Sequence, residues 1–309
     1  MTKVAFLFPG QGSQAVGMGR SFYEASAAAK AIFEEASDAL GFDLARLAFE
    51  GPEADLALTA NTQPAVLTVS VAAAAVCAER GLTPSLAAGH SLGEYSALVV
   101  AGALRFADAV RVVRKRGEFM QEAVPVGTGA MAAILGLDLP AVEALCKDAA
   151  QGEVVDVANI NSSGQIVVAG HRTAVERAVG LAGKKSVMLP VSAPFHCALM
   201  APAGERLAVA LATIPVRDPA FPVVRNADGG VTRAAAEVKP FLLRQVASPV
   251  RWTECVQTLA AEGATAFVEV GPGRVLSGLL RRILDGARGH SIEDLAGLEK
   301  ALAAVGASA

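Results

Sequence analysis

The sequence predicts an α/β fold with a mostly parallel sheet, interrupted by a small inserted subdomain. Three observations carry this. Short apolar runs (4–8, 86–89, 266–270) lie between longer segments of helical pattern, the alternation that builds parallel sheets. Apart from Glu269 the runs are apolar throughout rather than alternating, as strands covered on both faces are. Between 127 and 192 the rhythm changes, with Pro125, Gly127 and Gly129 marking the entry.

Taken in order, 4–8 is a strand closed by Pro9-Gly10, and 21–40 reads as one helix. An Ala-rich helix covers 63–80 and ends at Gly81. Residues 86–89 form a second strand, with helices at 93–101 and 106–123. The next elements are strand 130–135, helix 139–150 with Pro140 in its first turn, strand 154–160, a Ser162-Ser163-Gly164 turn, strand 165–169, helix 173–181 and strand 187–191. That β-α-β-β-α-β order is the ferredoxin-like split motif. The expected division is therefore a core of 1–126 and 193–309 with a small subdomain at 127–192. The core resumes with helix 199–214, strand 222–225, helices 238–246 and 253–261, strand 266–270 and helix 275–284. Ser291 with Asp294 suggests a capping box for a terminal helix.

Composition narrows the function. The chain has 309 residues, 53% hydrophobic and 18% charged, so it can bury a sizeable core and is not a disordered tail. With 27 basic and 30 acidic side chains, a formal charge of −3 argues against nucleic acid as the main ligand. The four cysteines form no CxxC pair and no zinc-ligand spacing. They read as reduced thiols of a cytoplasmic protein, with no metal expected. The first apolar run is too short for a signal-peptide core, and 65–78, broken by Thr68 and Ser70, falls short of the ~20 residues of a bilayer span. A soluble monomer away from membranes is expected.

Gly89-His90-Ser91-Leu92-Gly93 is G-x-S-x-G between an expected strand and helix. A nucleophilic serine must project from a tight turn at a strand end, and flanking glycines let the backbone make it. The next N–H then faces the same space at a helix N-terminus, where it can stabilise an oxyanion. A chain of this length and glycine content yields roughly 0.15 such matches by chance. The strand–turn–helix context favours a catalytic serine over an ordinary glycine turn.

Serine needs a base. His90 adjoins the serine and points elsewhere, His171 reads as a solvated turn residue, and His290 lies in the tail. His196, at the return from the small subdomain, leads by elimination; the residues alone do not decide it. Cys197 beside it is read as a buried structural thiol, since neighbouring residues do not face each other on a helix. Gly10-Gln11-Gly12 with Ala15 matches a dinucleotide fingerprint, but its acidic partner would have to be Glu34 or Glu35 inside a helix. The alternative is a loop that turns the Gln11 N–H toward a neighbouring site. Within Arg114-Lys115-Arg116, helical positions ~100° apart let one cation point inward while the others stay wet. An inward arginine near the serine would be a bidentate carboxylate receptor.

These pieces occur in longer blocks: Phe8-Pro9-Gly10-Gln11-Gly12-Ser13-Gln14, Gly89-His90-Ser91-Leu92-Gly93-Glu94-Tyr95, Arg116-Gly117-Glu118-Phe119-Met120-Gln121, Asn161-Ser162-Ser163-Gly164-Gln165, Pro194-Phe195-His196-Cys197-Ala198-Leu199-Met200, Gln245-Val246-Ala247-Ser248-Pro249-Val250-Arg251-Trp252 and Glu269-Val270-Gly271-Pro272-Gly273. In kind and order they resemble the malonyl-CoA:acyl-carrier-protein transacylase family. The resemblance implies an α/β-hydrolase-like core with a ferredoxin-like insert. It implies that Ser91 takes the acyl group, His196 is base and then acid, and the backbone N–H groups of Gln11 and Leu92 form the oxyanion hole. Arg116 would hold the malonyl carboxylate, the Gln245 carbonyl would orient His196, and Asn161 would line the cleft with His90 and Phe195. The implied substrate is malonyl-CoA, with no resident cofactor, and the partner is acyl carrier protein in fatty-acid synthesis. Phe195 stands where some relatives carry Ser, and its bulk is expected to favour malonyl over methylmalonyl. Ser248 and Arg251 stand where some relatives have Asn and Gln, with no functional change attached.

Carrier proteins are acidic, so a chain of charge −3 needs a local basic patch to dock one. Lys184-Lys185 and Arg281-Arg282 are candidates, with plain solubility an equal reading. The competing functions are a thioesterase on the same Ser91 and His196, a transacylase serving a polyketide synthase or malonate decarboxylase, and a dinucleotide-binding or scaffold protein using Gly10-Gln11-Gly12 without turnover.

Overall fold

Strand β1 (Val4–Phe8) lies at the middle of a six-stranded sheet, parallel to β2 (Leu86–Gly89) on one side and β9 (Ala266–Val270) on the other. All five β1 residues are buried. Phe6 and Phe8 join one hydrophobic cluster and Ala5 and Leu7 the other, so helices cover both faces and the strand has no polar alternation. β7 (Val223–Val224) extends the sheet parallel to β2, and β8 (Val231–Thr232) pairs antiparallel with β7. β10 (Gly289–Ile292) closes the other edge parallel to β9. The computed structural model describes residues 2–306; residue 1 and residues 307–309, the extremes of the expected core, lie outside the described residues.

Four strands make a second sheet. β3 (Gly129–Leu135), β4 (Val155–Ser162), β5 (Gln165–His171) and β6 (Ser186–Met188) run in the order β4-β5-β3-β6, all antiparallel, which is the ferredoxin-like arrangement. Ala130, Ala132 and Ile134 face helices α8 (Leu139–Ala150) and α9 (Arg172–Ala182), while Met131 and Ala133 turn toward the main core. β4 is tied to the core backbone by Ile160 N–H to Val250 O (2.8 Å) and Val250 N–H to Ala158 O (2.9 Å). The fold class read from the sequence is the one observed.

Several elements differ from expectation. The helix expected at 21–40 is two: α1 (Arg20–Ala25) and α2 (Ala27–Leu40). Ser26 is extended between them, and its Oγ caps α2 by accepting from Ala29 N–H at 3.1 Å. Short helices α3 (Leu44–Glu50) and α4 (Glu53–Leu56) follow. α5 (Thr59–Glu79) begins a turn earlier than expected and holds Pro64 inside. By length and composition it could cross a bilayer, yet 83% of its apolar stretch is buried within the protein. α6 (Gly93–Val100) and α7 (Phe106–Glu122) match expectation within a residue. β6 stops at Met188, short of 191, because Pro190 has no N–H for the ladder. The helix expected at 199–214 is a 3₁₀ turn (Ala198–Met200) followed by α10 (Ala201–Ala212). α11 (Ala235–Val246), α12 (Trp252–Ala261) and α13 (Val275–Ile283) precede α14 (Leu295–Gly306). The capping box is not formed: Ser291 belongs to β10, and Asp294 alone accepts from Gly297 N–H (2.7 Å). His290 is likewise a strand residue rather than part of a loose tail.

Candidate active site

β2 ends at Gly89 and α6 begins at Gly93, with Ser91 on the turn between them at φ +50°. A left-handed serine is uncommon and is held only where surroundings enforce it. The two glycines are steric necessities. A Cβ at Gly89 would lie 1.8 Å from the Gly93 carbonyl carbon, and one at Gly93 would lie 2.1 Å from the Phe8 carbonyl oxygen. Asn226, just past β7, clamps the turn: its Oδ1 accepts from Ser91 N–H at 2.6 Å, and its Nδ2 donates to Gly89 O at 2.7 Å.

His196, with φ +62°, stands 2.7 Å from Ser91 Oγ through Nε2. Its Nδ1 lies 3.0 Å from the Gln245 backbone carbonyl. A carbonyl only accepts, so Nδ1 carries the proton and Nε2 is left to accept from the serine hydroxyl. Burial first, then the charge of Arg116, lowers the His196 pKa to about 3. The imidazole is therefore neutral at ordinary pH and ready to take a proton.

Of the three consecutive cations Arg114, Lys115 and Arg116 on α7, Arg116 is the inward one, 2% exposed. Arg114 bonds Glu118 and Asn61, and Lys115 is exposed. Arg116 Nη2 donates to Ser91 Oγ and to Gln245 Oε1, both at 3.0 Å, and Nη1 donates to Gln63 Oε1 at 2.8 Å. Among the described residues its Nε has no hydrogen-bond partner, and the guanidinium lies 5.6 Å from the centre of the Tyr95 ring. Burial pulls the Arg116 pKa down from its ordinary value. All its partners are neutral, so an anion entering beside Ser91 would meet an uncompensated cation.

Ser91, His196, Arg116, Gln11, His90 and Leu92 face one cavity of about 520 Å³. Met120, Met131, Leu189 and Phe195 supply its apolar wall. Gln11 is tethered by Nε2 to Thr59 Oγ1 (2.8 Å), and the neighbouring Gly10 sits where a Cβ would lie 2.5 Å from His90 O. The first glycine loop is thus packed on the serine turn. The first helix begins only at Arg20, so the loop does not present a helix N-terminus to a pyrophosphate.

His90 turns its Nε2 to Asn161 Oδ1 (2.9 Å) and its ring to Trp252. Asn161 thus meets the cleft through His90, while Asn159, two positions earlier on β4, lines it directly. Cys197 donates to Pro194 O, and burial pushes its thiol up to about 12, so it stays protonated and inert. His171 accepts from Val154 N–H through Nδ1 (2.9 Å), a structural bond in place of the solvated turn expected. Lys184, Lys185, Arg281 and Arg282 are exposed away from the cavity wall, and Arg282 reaches Gln165 Oε1 on β5 (3.4 Å). Among the described residues no His/Cys/Asp/Glu group is placed to hold a metal ion.

Sequence reasoning missed Asn226, Gln63, Asn159 and the side chain of Gln245. Asn226, Gln63 and Asn159 carry no motif of their own, and the block that opens at Gln245 pointed only to its backbone carbonyl; each acquires its place from strands or helices brought in from elsewhere. Glu94 had one available signal, a carboxyl three residues after the serine on the inward turn of a helix.

The arrangement joins a hydroxyl, a neutral base and a cationic fork in one pocket, which suits acyl transfer from a substrate with a terminal anion. The acyl transferase domain family matches residues 5–304. The malonyl CoA-acyl carrier protein transacylase of Salmonella typhimurium is 50% identical over 307 residues, covering 98% of this chain and 99% of the relative. That of Bacillus subtilis strain 168 is 51% identical, covering 92% and 91%. The solved acyl carrier protein S-malonyltransferase of Vibrio cholerae superposes with TM-score 0.94 at 49% identity, covering 97% and 99%. A malonyl-transacylase solved with its type II polyketide acyl carrier protein gives 0.95 at 47%, covering 98% and 100%. With matches of this extent on both sequence and fold, the chain belongs to the malonyl-CoA:acyl-carrier-protein transacylase family of acyl transferase domains.

Proposed function

We propose that this chain moves a malonyl group from malonyl-CoA to the phosphopantetheine thiol of an acyl carrier protein, through an ester on Ser91. In the first half, Ser91 gives its proton to His196 Nε2 as Oγ attacks the thioester carbonyl. The C–S bond breaks and the CoA sulfur leaves, taking that proton back. In the second half the carrier thiol passes its proton to His196 and attacks the ester carbonyl. The C–O bond breaks and Ser91 recovers its proton. Gln11 and Leu92 N–H groups are the proposed oxyanion donors, Leu92 standing at the start of α6. The Gln245 carbonyl is the proposed orienter of His196. It stabilises an imidazolium less than a carboxylate would, which a thiolate leaving group tolerates because it needs little proton assistance.

One observation carries the reading: Arg116 Nη2 lies 3.0 Å from the same Ser91 Oγ that His196 contacts at 2.7 Å. In a malonyl-serine ester the free carboxylate sits three bonds beyond Oγ, within reach of that fork. Apolar walls at Met131, Leu189 and Phe195 support exclusion of water from the ester. The division into core (1–126, 193–309) and small subdomain (127–192), with the cleft between them, belongs to this reading. So do supply to fatty-acid synthesis and carrier docking on Lys184, Lys185, Arg281 and Arg282.

The test is intact-mass measurement after competitive exposure to malonyl-CoA, acetyl-CoA and methylmalonyl-CoA. The expected result is one malonyl adduct on Ser91, stable until a holo carrier protein removes it. Rapid release of free malonate without carrier would point to a thioesterase instead.

A further inference from the structure

Gln245 makes contacts with all three reactive residues. Its backbone carbonyl accepts from His196 Nδ1, and its side-chain Oε1 accepts from Arg116 Nη2. Its Nε2 donates to the Ser91 carbonyl (3.0 Å) and to Glu94 Oε2 (2.8 Å). A carboxamide has an acceptor side and a donor side, exchanged by one turn of its terminal torsion. Here the exchange is unfavourable on both sides. The oxygen would face two acceptors, Glu94 Oε2 and Ser91 O, and the NH₂ group would face the donors of Arg116.

Glu94 sets this preference. It lies on the first turn of α6, 3% exposed, and the same Oε2 accepts from Asn226 N–H at 3.0 Å. Asn226 in turn holds Ser91 N–H. Arg225, the other cation near Glu94, is already engaged by Asp228 and Glu237. Arg116 has no carboxylate of its own and lies one amide away from Glu94. A direct Glu–Arg pair would occupy the guanidinium with a fixed carboxylate. An amide placed between the two fixes its geometry and leaves its charge available.

We propose that Glu94 is a positioning residue for the transfer reaction: its carboxyl oxygen locks the Gln245 amide, and that amide holds the Arg116 fork ready for the acyl carboxylate. This rests on the reading that Arg116 receives that carboxylate. The test compares full-length wild type, Glu94→Ala and Glu94→Gln. Malonyl loading gives KM and kcat, and labelling of Ser91 by a neutral fluorophosphonate reports the nucleophile and base without the carboxylate. Glu94→Ala is expected to raise the malonyl-CoA KM about tenfold while labelling stays within about threefold, the loss of one buried hydrogen-bond anchor. Glu94→Gln, whose oxygen can still accept both bonds but whose amide can also turn, is expected to fall between. An unchanged KM in Glu94→Ala would overturn the proposal. So would an equal fall in loading and labelling with Glu94→Gln no better than Glu94→Ala, the mark of general loosening. Failure of the wild type to form a malonyl ester at all would instead remove the underlying reading.

Discussion

The two sides of the cleft are built differently. The side hung on the six-stranded sheet carries Ser91, Arg116 and Gln245, whose polar groups are knit together by Asn226, Glu94 and Gln63. The side hung on the four-stranded sheet presents mainly apolar wall, with Met131, Leu189 and Val191 and the polar side chains of Asn159 and Ser192. His196 lies at the seam, where the chain returns from one to the other. Chemistry that needs fixed dipoles is placed on turns and helices packed around strands buried on both faces, where the surroundings can over-determine strained residues such as Ser91. Shape selection needs only bulk, which a smaller sheet tied on through β4 and Val250 can supply.

This contrast can be broken in graded steps. Ser91→Ala should abolish the malonyl adduct in intact-mass spectra after malonyl-CoA exposure; a retained adduct would mean another nucleophile. Arg116→Ala should cut malonyl loading by about a thousandfold and acetyl loading by less than about tenfold, because a site built around a polar pair rejects the analogue lacking it. Equal losses would show that the arginine supports the fold rather than the substrate. On the shape side, Phe195→Ser should raise methylmalonyl loading relative to malonyl by about tenfold, the scale of one methyl group in an apolar pocket. No change in that ratio would place the steric gate elsewhere.

Smaller effects come from the surface and from stability. Raising salt from 50 to 500 mM, a range in which exposed charges become screened, should slow carrier-protein transfer by about threefold and leave malonyl loading unchanged. Parallel loss of both steps would argue against a docking patch. Burial pushes the Glu94 carboxyl up to about 7, despite its bonds from Asn226 and Gln245. An unfolded glutamate ionises near 4.5, so the wild type loses stability as pH rises between these values. The thermal midpoint of Glu94→Gln should therefore gain on wild type from pH 5 to pH 8. A constant difference would mean that Glu94 does not ionise in that range. The expected gain would mean that Glu94 trades stability for alignment, as functional groups in cores do.

Where local chemistry decides, the chain was readable. β1 and β9 are apolar runs stopped by Pro9-Gly10 and Gly271-Pro272-Gly273, and both fall at their expected bounds. α8 begins after Asp138, whose side chain caps Ala141 N–H, and it too is where expected. The break at Ser26 was hidden because the apolar pattern runs through it on both sides. β8 and β10 were hidden because two residues, or a polar stretch such as Gly289–Ile292, become strands only when a neighbour offers its edge. Asn159 and Asn161 stand two apart on one irregular strand, and only their contacts reveal that one holds His90 and the other faces the cavity.

By itself the sequence determined the alternation of buried strands and helices, the glycine-flanked serine turn, and the set of residue types from which a site could be made. Those depend on short-range sterics and on apolar periodicity, which neighbouring residues encode. Only the tertiary structure decided that Arg116 rather than Arg114 faces Ser91, that His196 is neutral, and that one glutamine, by its backbone and its side chain, links them. Such facts depend on groups up to 154 residues apart meeting in a space closed to water, as Gln245 and Ser91 do. There burial and hydrogen-bond partners, rather than residue type, set charge and orientation.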